Sequence, residues 1–264
     1  MSADAAAADR PTDEAGGRSA NVRTERDGPV EVVTIDRPER RNAVDRTTLL
    51  ELLDVQRRLR SDAPSVVRAV VLTGAPPAFC AGADLTGVEP GEFATDLNAV
   101  LRGFGALPVP VIAAIDGPAL GAGTQLVVAA DLRVSTSDSV FGIPAAKLGL
   151  AVDHWTVRRV ASEFGAPTAR AMLVGAENFS GEQLHRIGAV HRIGDLAAAV
   201  EWAHALSDLA PLTMSAHKLG LESDFDGRSG DEFEAARVAA WASADAEEGR
   251  TAFLEKRRPV FRGE

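Results

Sequence analysis

Two glycine-bearing segments are the parts of this sequence best suited to chemistry. The first is AFCAGADL, from Ala78 to Leu85, and the second is DGPALGAGTQ, from Asp116 to Gln125. Small residues let the main chain approach a ligand closely and leave backbone N–H groups available at a turn. In the second segment those N–H groups would open a helix, whose dipole adds positive potential. Two such turns side by side could hold one carbonyl oxygen between two amides, and removing one such donor costs about 3–4 kcal/mol of transition-state stabilisation.

Each segment taken singly also fits a simple connection between a strand and a helix, and for one turn alone that interpretation is favoured. The piece Gly121–Gly123 resembles a dinucleotide-binding loop, but Leu126 stands where the G-x-G-x-x-G pattern needs its third glycine. The sequence holds no Walker A pattern either. Carbonyl binding is therefore predicted only for the two turns acting together.

Metal and thiol chemistry are not indicated by the residues present. The single cysteine, Cys80, excludes a disulfide framework and a thiolate metal cluster. No base stands next to Cys80, so we interpret it as a small buried residue rather than a nucleophile. Five histidines show no spacing typical of metal ligands, and no metal site is expected. They are His154, His185, His191, His204 and His217.

The elements that must position the turns alternate between strands and helices. Apolar, β-branched runs predict buried strands over Val30–Ile35, Val66–Leu72 and Val109–Ile115. Asp45 precedes an amphipathic pattern that continues to Leu59, which predicts a capped helix. Such alternation indicates an α/β fold with a parallel sheet.

From His154 onward the patterns are almost all helical. The predicted helices are His154–Phe164, Thr168–Val174, Gly181–Ile187, Leu196–Leu209 and Asp231–Ala244. The acidic cluster from Glu222 to Glu232 is interrupted by glycines and is interpreted as a loop. The C-terminal third is therefore either an annex on the sheet domain or an oligomer-forming element, and both remain open.

Composition and charge narrow the function classes. The chain has 264 residues, 45% of them apolar, and its 28 basic and 38 acidic side chains give a net charge of −10. This charge argues against nucleic acid and anionic membranes as partners. Residues 1–20 lack the apolar core of a signal peptide and are predicted to form a disordered arm. No apolar run is long enough to span a membrane, and a soluble, cytoplasmic protein is expected.

Six separated pieces follow one another along residues 28–263. They are DRPERRNA from Asp36, FCAGADL from Phe79, GPALGAG from Gly117, ADLR from Ala130, FGIP from Phe141 and AFLEKR from Ala252. Together they resemble the crotonase (enoyl-CoA hydratase/isomerase) family. The resemblance implies an α/β fold, a crotonase-like spiral of ββα units, over residues 21–205. It also implies a helical C-terminal region over residues 206–264 that assembles trimers, often as dimers of trimers.

The resemblance further implies an acyl-CoA ligand and no other cofactor. The thioester oxygen would lie between the backbone N–H groups of Ala83 and Ala122, where Ala122 replaces the family's usual glycine. The nucleotide end of coenzyme A would lie near a second set of residues, which are Arg41, Ala43, Ala81, Asp84 and Leu85. Lys256 of a neighbouring subunit would meet a phosphate, although a solvated cation in a basic tail explains that lysine equally well.

The sequence departs from the family at both positions that carry the catalytic glutamates of enoyl-CoA hydratases. Gln125 stands two residues after the last glycine of the second turn, and Ala145 directly follows FGIP. An amide can hold a water but cannot take its proton near neutral pH, and alanine offers no polar group. Since general acid–base catalysis contributes about 10²–10⁴ per group, efficient hydration is not expected.

Asp153 is the one acid/base candidate that the resemblance suggests. The stretch LGLAVD, from Leu148, resembles the segment that delivers a catalytic aspartate in dienoyl-CoA isomerases and the nucleophilic aspartate in aroyl-CoA dehalogenases of this family. Asp153 also precedes HWTV, where an N-cap aspartate is common at a helix start, and that interpretation is favoured. Trp155 and Trp241 are candidates to line an acyl tunnel, with core packing as the favoured role for each.

The combination of GAGTQ from Gly121 with LAVDHW from Leu150 also resembles a subgroup of actinobacterial members that lack both glutamates and bind fatty acyl-CoA. We therefore predict a fatty acyl-CoA (enoyl-CoA) binding protein with little or no hydratase activity, which carries or senses its ligand for a partner enzyme of fatty acid metabolism. The alternative is an active enoyl-CoA hydratase or isomerase that uses Asp153, with Gln125 holding a water. A homo-trimer or hexamer is expected, and a third possibility is a structural protein that uses the fold only for assembly.

Overall fold

A six-stranded sheet forms the centre of the computed structural model, which describes residues 20–84, 86, 90–226 and 230–264. In spatial order its strands are β1 (Val22–Asp27), β2 (Val30–Ile35), β3 (Ala69–Gly74), β4 (Val111–Ile115), β6 (Leu132–Ser135) and β9 (Arg192–Ile193). β1 pairs with β2 in antiparallel fashion, and every other neighbouring pair is parallel. The predicted parallel sheet is confirmed. The sequence did not predict β1, because five of its six residues are exposed and the strand has no apolar run.

A smaller sheet of three short strands lies beside the glycine turns. It consists of β5 (Pro118–Leu120), β7 (Val140–Gly142) and β8 (Phe179–Ser180), in that spatial order. β5 and β7 run parallel, whereas β7 and β8 run antiparallel. Strands of two or three residues are too short to show a periodic apolar pattern, which is why the sequence did not predict them.

Helices cover both faces of the large sheet. One face packs against α1 (Arg46–Asp62), α2 (Pro90–Gly105), α3 (Ala122–Ala129) and α4 (His154–Phe164), and the other face packs against α7 (Leu196–Ser207). Successive side chains of β3 show the alternation, because Val70 and Leu72 join the first cluster while Ala69 and Val71 join the second. Because both faces of the sheet are buried, the strands consist of nearly continuous apolar residues.

The C-terminal helices agree only in part with the sequence prediction. α4 has the predicted bounds, and α5 (Ala166–Leu173), α6 (Gly181–Arg186) and α9 (Gly230–Ala242) lie close to theirs. α8 (Pro211–Asp226) and α10 (Ala244–Glu255) were not predicted. The prediction of a loop over Glu222–Glu232 is wrong at both ends, because α8 extends to Asp226 and α9 begins at Gly230. Residues 227–229, in the middle of that segment, lie outside the described part of the chain. In the described part of the chain, no helix is both long and apolar enough to cross a bilayer.

Charged side chains dock α8 onto the sheet domain. Lys218 Nζ donates to Val109 O at 3.0 Å and to Asp131 Oδ2 at 2.7 Å, and Arg159 pairs with Glu222 at 2.7 Å. Burial raises the pKa of Glu222, and the charge of Arg159 opposes that rise. Because α8 buries charges where an amphipathic helix would bury apolar residues, it lacks the regular apolar spacing that predicts a helix.

Candidate functional site

The two glycine turns lie side by side in the structure. The Cys80 N–H of the first turn donates to Pro118 O at 3.0 Å, and the Leu120 N–H returns a hydrogen bond to Cys80 O at 2.9 Å. These bonds form a parallel bridge between Cys80 and Ala119. The first turn thereby pairs with β5, the short strand that leads into the second turn.

Glycine is required where the two turns touch. A Cβ added at Gly123 would lie 2.1 Å from the Cys80 carbonyl oxygen, which is too close for any side chain. Gly121 has a φ of +53°, and a Cβ on it would lie 3.7 Å from Gly82 Cα. Positive φ disfavours residues with a Cβ, so the backbone at Gly121 favours glycine.

The residues that follow Gly82 and Gly121 carry free backbone donors. Within the described residues, neither the Ala83 N–H nor the Ala122 N–H donates a hydrogen bond. Ala122 is the first residue of α3, where the leading N–H groups of a helix have no partner inside it and the dipole is positive. Each of the two adjoining turns therefore carries one backbone donor that is not used by the described residues.

Arg41 and Ala43, two of the residues expected at the coenzyme, border the first turn, and Ala81 lies within it. The Ala81 N–H donates to Arg41 O at 3.0 Å, and the segment that contains Ala43 runs alongside. Arg41 has an exposed side chain. Leu85 lies outside the described residues. Lys256 ends α10 with an exposed side chain, and no hydrogen bond or ion pair of the described residues brings it to the turns of the same chain.

Arg37, for which the sequence predicted no role, joins the segments of this border. It donates to Ala43 O and pairs with Asp45 at 3.0 Å and with Asp84 at 3.3 Å. Hydrogen bonds from Thr86, with Arg37 adding to them, hold the pKa of Asp84 below its ordinary value. The Asp84 carboxylate is therefore ionised and engaged within its own loop. The only sequence signal for Arg37 was its place in the DRPERRNA piece.

Asn42 connects the same piece to the first turn. Its side chain is fully buried, and Nδ2 donates to Ala75 O and to Ala78 O, both at 2.6 Å. Its Oδ1 accepts from the Arg37 N–H at 2.9 Å. Asn42 has a φ of 58°, a conformation in which asparagine is several-fold enriched. These contacts hold the chain segment of Arg41 and Ala43 against the first turn.

Gln125 lies on α3 one helical turn beyond Ala122. Its side chain is 7% exposed, and Nε2 donates to Thr156 Oγ1 of α4 at 3.0 Å. Ala145 belongs to the 3₁₀ turn Pro144–Leu148 and packs, partly buried, against the larger apolar cluster. Gln125 therefore lies one helical turn from the Ala122 amide of the second turn. Its own side-chain amide is bound by Thr156, an uncharged partner.

Asp153 is exposed and caps the first turn of α4. Its Oδ1 accepts from the Thr156 N–H at 3.1 Å, and its Oδ2 accepts from Asn98 Nδ2 at 2.6 Å. The favoured interpretation of Asp153 as an N-cap is therefore confirmed. A catalytic role for this carboxylate stays a prediction.

Comparison with known proteins identifies the family of this chain and confirms its fold. Residues 25–264 match the family model described as enoyl-CoA hydratase/isomerase. A probable enoyl-CoA hydratase of Mycobacterium tuberculosis is 41% identical over 238 residues, which cover 88% of this chain and 95% of that protein. The chain belongs to the enoyl-CoA hydratase/isomerase family. The resemblance inferred from the six sequence pieces is thereby confirmed.

Other enoyl-CoA hydratase/isomerase family members share the sequence and the architecture. A short-chain-enoyl-CoA hydratase of Clostridium acetobutylicum is 33% identical and covers 90% of this chain and 96% of that protein. The crystal structure of an enoyl-CoA hydratase of Mycobacterium smegmatis superposes with a TM-score of 0.82 at 28% identity, covering 92% of this chain and 99% of that one. One from Mycobacterium marinum gives 0.78 at 32% identity, covering 93% and 100%. The expected α/β crotonase fold with a helical C-terminal region is confirmed.

This family member buries its one thiol and one of the two tryptophans singled out from the sequence. Cys80 is fully buried, and burial raises the pKa of its thiol to about 12, which confirms its interpretation as a small buried residue. Trp155 is 4% exposed and packs in the larger cluster. Core packing is wrong for Trp241, which is 67% exposed and borders a cavity of about 640 Å³ together with Phe253 and Phe261.

Proposed function

We propose that the chain binds acyl-CoA thioesters and grips the thioester oxygen with the backbone N–H groups of Ala83 and Ala122. The observation that carries this proposal is the pair of free amides on adjoining glycine turns, one of them at the N-terminus of α3. Both groups donate without the reorganisation that a flexible side chain would need. Arg41 and the loop that Arg37 organises would receive the nucleotide end of the coenzyme.

Little or no hydration of enoyl-CoA is proposed, because acid and base are missing from the family's usual places. Gln125 offers an amide that is already bonded to Thr156, and Ala145 offers a methyl group. Asp153 has both carboxylate oxygens in hydrogen bonds and caps a helix. An oxyanion site without a group to move the proton binds the thioester but leaves the addition of water slow. The proposed role is that of a carrier or sensor of fatty acyl-CoA.

Calorimetric titration with saturated and enoyl-CoA thioesters of several chain lengths, followed by product analysis of the same mixtures, tests the proposal. Binding without product is expected, whereas turnover comparable to that of ordinary enzymes would reject the reduced activity. Failure of every acyl-CoA to bind would reject the function as a whole.

The Ala122→Pro variant tests whether the Ala122 N–H donates a hydrogen bond to the thioester oxygen. Proline removes the N–H at the first position of a helix, where its ring is tolerated, so α3 is expected to survive. Losing one neutral donor should weaken acyl-CoA binding about five-fold. Ala244→Pro changes the corresponding first residue of α10 and serves as the matched control, which should bind as the unmodified chain does. Equal affinities in both variants would rule out the Ala122 amide as a ligand contact.

We also propose that the chain assembles into a homo-trimer or hexamer. Large apolar side chains stand exposed on the C-terminal helices, with Trp241 at 67%, Phe253 at 83% and Leu254 at 80%. Burying such residues is strongly favourable, and they are typical of surfaces that meet another chain. Light scattering coupled to gel filtration should give a mass of three or six chains, and a monomer at micromolar concentration would contradict it.

A further inference from the structure

Lysine is rare in this chain, which has three lysines against 25 arginines. The lysines are Lys147, Lys218 and Lys256. A neutral lysine amine is a nucleophile that can attack a carbonyl carbon, whereas an arginine guanidinium stays protonated in proteins and is not. The three lysines are therefore the side-chain amines that could accept an acyl group from a bound thioester.

Two of the three lysines are poorly suited to that reaction. Lys218 is buried, and its Nζ donates to Phe104 O and Val109 O, both at 3.0 Å, and to Asp131 Oδ2 at 2.7 Å. An ammonium whose three N–H groups are all engaged has no lone pair to offer. Lys256 is exposed at the end of α10, and no contact of the described residues brings it to the glycine turns of the same chain.

Lys147 is exposed and unengaged. It lies on the 3₁₀ turn Pro144–Leu148, which follows β7. Within the described residues, no hydrogen bond or ion pair holds its amine. The amine is therefore available to a reagent, and the backbone of the turn decides where the side chain starts.

Hydrogen bonds connect β7 to the second glycine turn. The Gly121 N–H donates to Gly142 O at 2.8 Å, and the Gly142 N–H donates to Thr124 Oγ1 at 3.1 Å. Gly142 ends β7, and Lys147 follows it by five residues. Two extended residues and three residues at the 3₁₀ rise span no more than about 13 Å. The flexible four-carbon stem of Lys147 therefore starts close to the second turn and can carry the amine toward it.

The 3₁₀ turn is also fixed to the apolar cluster that supports the two free amides. Ala122 belongs to that cluster, and both Ala83 and Ala145 pack against it. The Leu150 N–H donates to Ala145 O at 3.0 Å and closes the turn at its far end. The turn that carries Lys147 and the two amides proposed to grip the thioester oxygen thus border one cluster.

We infer that Lys147 is a self-modification site, at which a fatty acyl-CoA held by Ala83 and Ala122 transfers its acyl group to the lysine amine. The neutral amine adds to the thioester carbon, a C–N bond forms and the C–S bond breaks. The proton that the nitrogen loses goes to the departing sulfur, so the products are an acyl-lysine amide and free coenzyme A thiol. This inference rests on the proposed function, because the two amides must hold the oxygen that gains negative charge during the attack.

Incubation with butyryl-CoA, followed by intact-mass measurement and peptide mapping, tests the inference. Arg57→Lys provides the reference amine, because it puts a second lysine at a side chain that is 78% exposed, three turns beyond the start of α1. In this variant Lys147 should gain an acyl group about ten-fold faster, or more, than the introduced lysine, a modest part of what proximity provides. Its rate should saturate at the butyryl-CoA concentrations that fill the site in calorimetry. In urea both lysines should react equally slowly.

Two further variants separate assisted transfer from the chance reaction of an exposed amine. Lys147→Arg keeps the positive charge, should bind butyryl-CoA as the unmodified chain does and should gain no acyl group on this turn. Ala122→Pro should slow the acylation of Lys147 about 100-fold at saturating butyryl-CoA, the usual effect on rate of losing one oxyanion donor. The reference lysine at position 57 should react at the same rate with and without the Ala122 change.

Three results would overturn the inference. If Lys147 reacts no faster than the reference lysine while calorimetry shows binding, the inference fails and the proposed function stands. If free coenzyme A thiol appears without acyl-lysine, water rather than the amine is the nucleophile, and the inference fails in the same way. If butyryl-CoA and longer acyl-CoAs do not bind at all, the inference and the proposed function are both rejected.

Discussion

The carbonyl oxygen of Cys80 lies so close to Gly123 that a Cβ added there would stand 2.1 Å from it. This contact presses the first turn against the helix that begins at the second turn. A backbone-to-backbone contact, rather than side-chain packing, therefore sets how closely the two turns approach each other.

Gly123→Ala is expected to push the two turns apart. The overpacked methyl group should lower the free energy of unfolding by about 1–3 kcal/mol, and acyl-CoA binding should weaken because the two donors no longer converge. Urea denaturation and calorimetry measure the two effects. Gly91→Ala is the control, since a Cβ there meets nothing within 4 Å, and it should not destabilise the chain. A folded Gly123→Ala protein with unchanged affinity would show that the spacing of the turns is unimportant.

Restoring the two carboxyl groups should create hydration activity. In the double variant Gln125→Glu and Ala145→Glu, a base and an acid return to the positions where hydratases of the family carry them, and we expect at least a 100-fold faster loss of the enoyl absorbance of crotonyl-CoA. The control combines Gln125→Glu with Ala146→Glu, which puts the second carboxyl on an exposed neighbour. Equal rates for the two double variants would contradict the explanation.

Asp153 is expected to act through the start of α4 rather than through the reaction. Asp153→Ala should lower the free energy of unfolding by about 1 kcal/mol, the usual cost of a lost N-cap. Asp153→Asn keeps a good capping residue and should leave acyl-CoA affinity and any residual hydration within two-fold of the unmodified chain. Loss of residual turnover in Asp153→Asn, with binding intact, would instead make this carboxylate a catalytic group.

The Cys80 thiol should be unreactive while the chain is folded. With a pKa raised to about 12 by burial, almost none of it is thiolate at pH 8, and the side chain is closed to reagents. A chromogenic disulfide reagent should therefore titrate no thiol in buffer and one thiol per chain in denaturant. Rapid labelling of the native protein would reveal an opening of the first turn that this structure lacks.

His191 should make stability depend on pH below neutrality. Burial, with the charge of Arg133 adding to it, lowers the pKa of His191 to about 4, and its Nδ1 accepts from the Arg133 N–H at 3.1 Å. In the unfolded chain His191 takes up a proton near pH 6.5, whereas in the folded chain it does so only near pH 4. Its neutral form therefore costs no stability above pH 6.5, and the free energy of unfolding falls as the pH drops from 6.5 toward 4. Urea unfolding at pH 7 and pH 5 measures this effect, and His191→Asn should reduce it. A titration of His191 near pH 6.5 by NMR would exclude this account.

Much of the core could be predicted from local patterns. Val30–Ile35 is β2 with the expected bounds, and His154–Phe164 is α4, because a β-branched run and a capped amphipathic stretch each carry their own signal. The predicted strand at Val66–Leu72 is displaced, since β3 begins at Ala69 and reaches Gly74. Strand ends depend on where the neighbouring strands stop, and no local pattern encodes that.

By itself, the sequence determined the family, the parallel sheet and the presence of Gln125 and Ala145, because these depend on residue types and on patterns of a few residues. The tertiary structure alone decided that the turns adjoin through Cys80 and Gly123, that Thr156 holds Gln125 and that α8 docks through buried charges. Those contacts join residues far apart in the chain. They exist only after whole elements have packed, since packing rather than local preference selects which distant side chains meet.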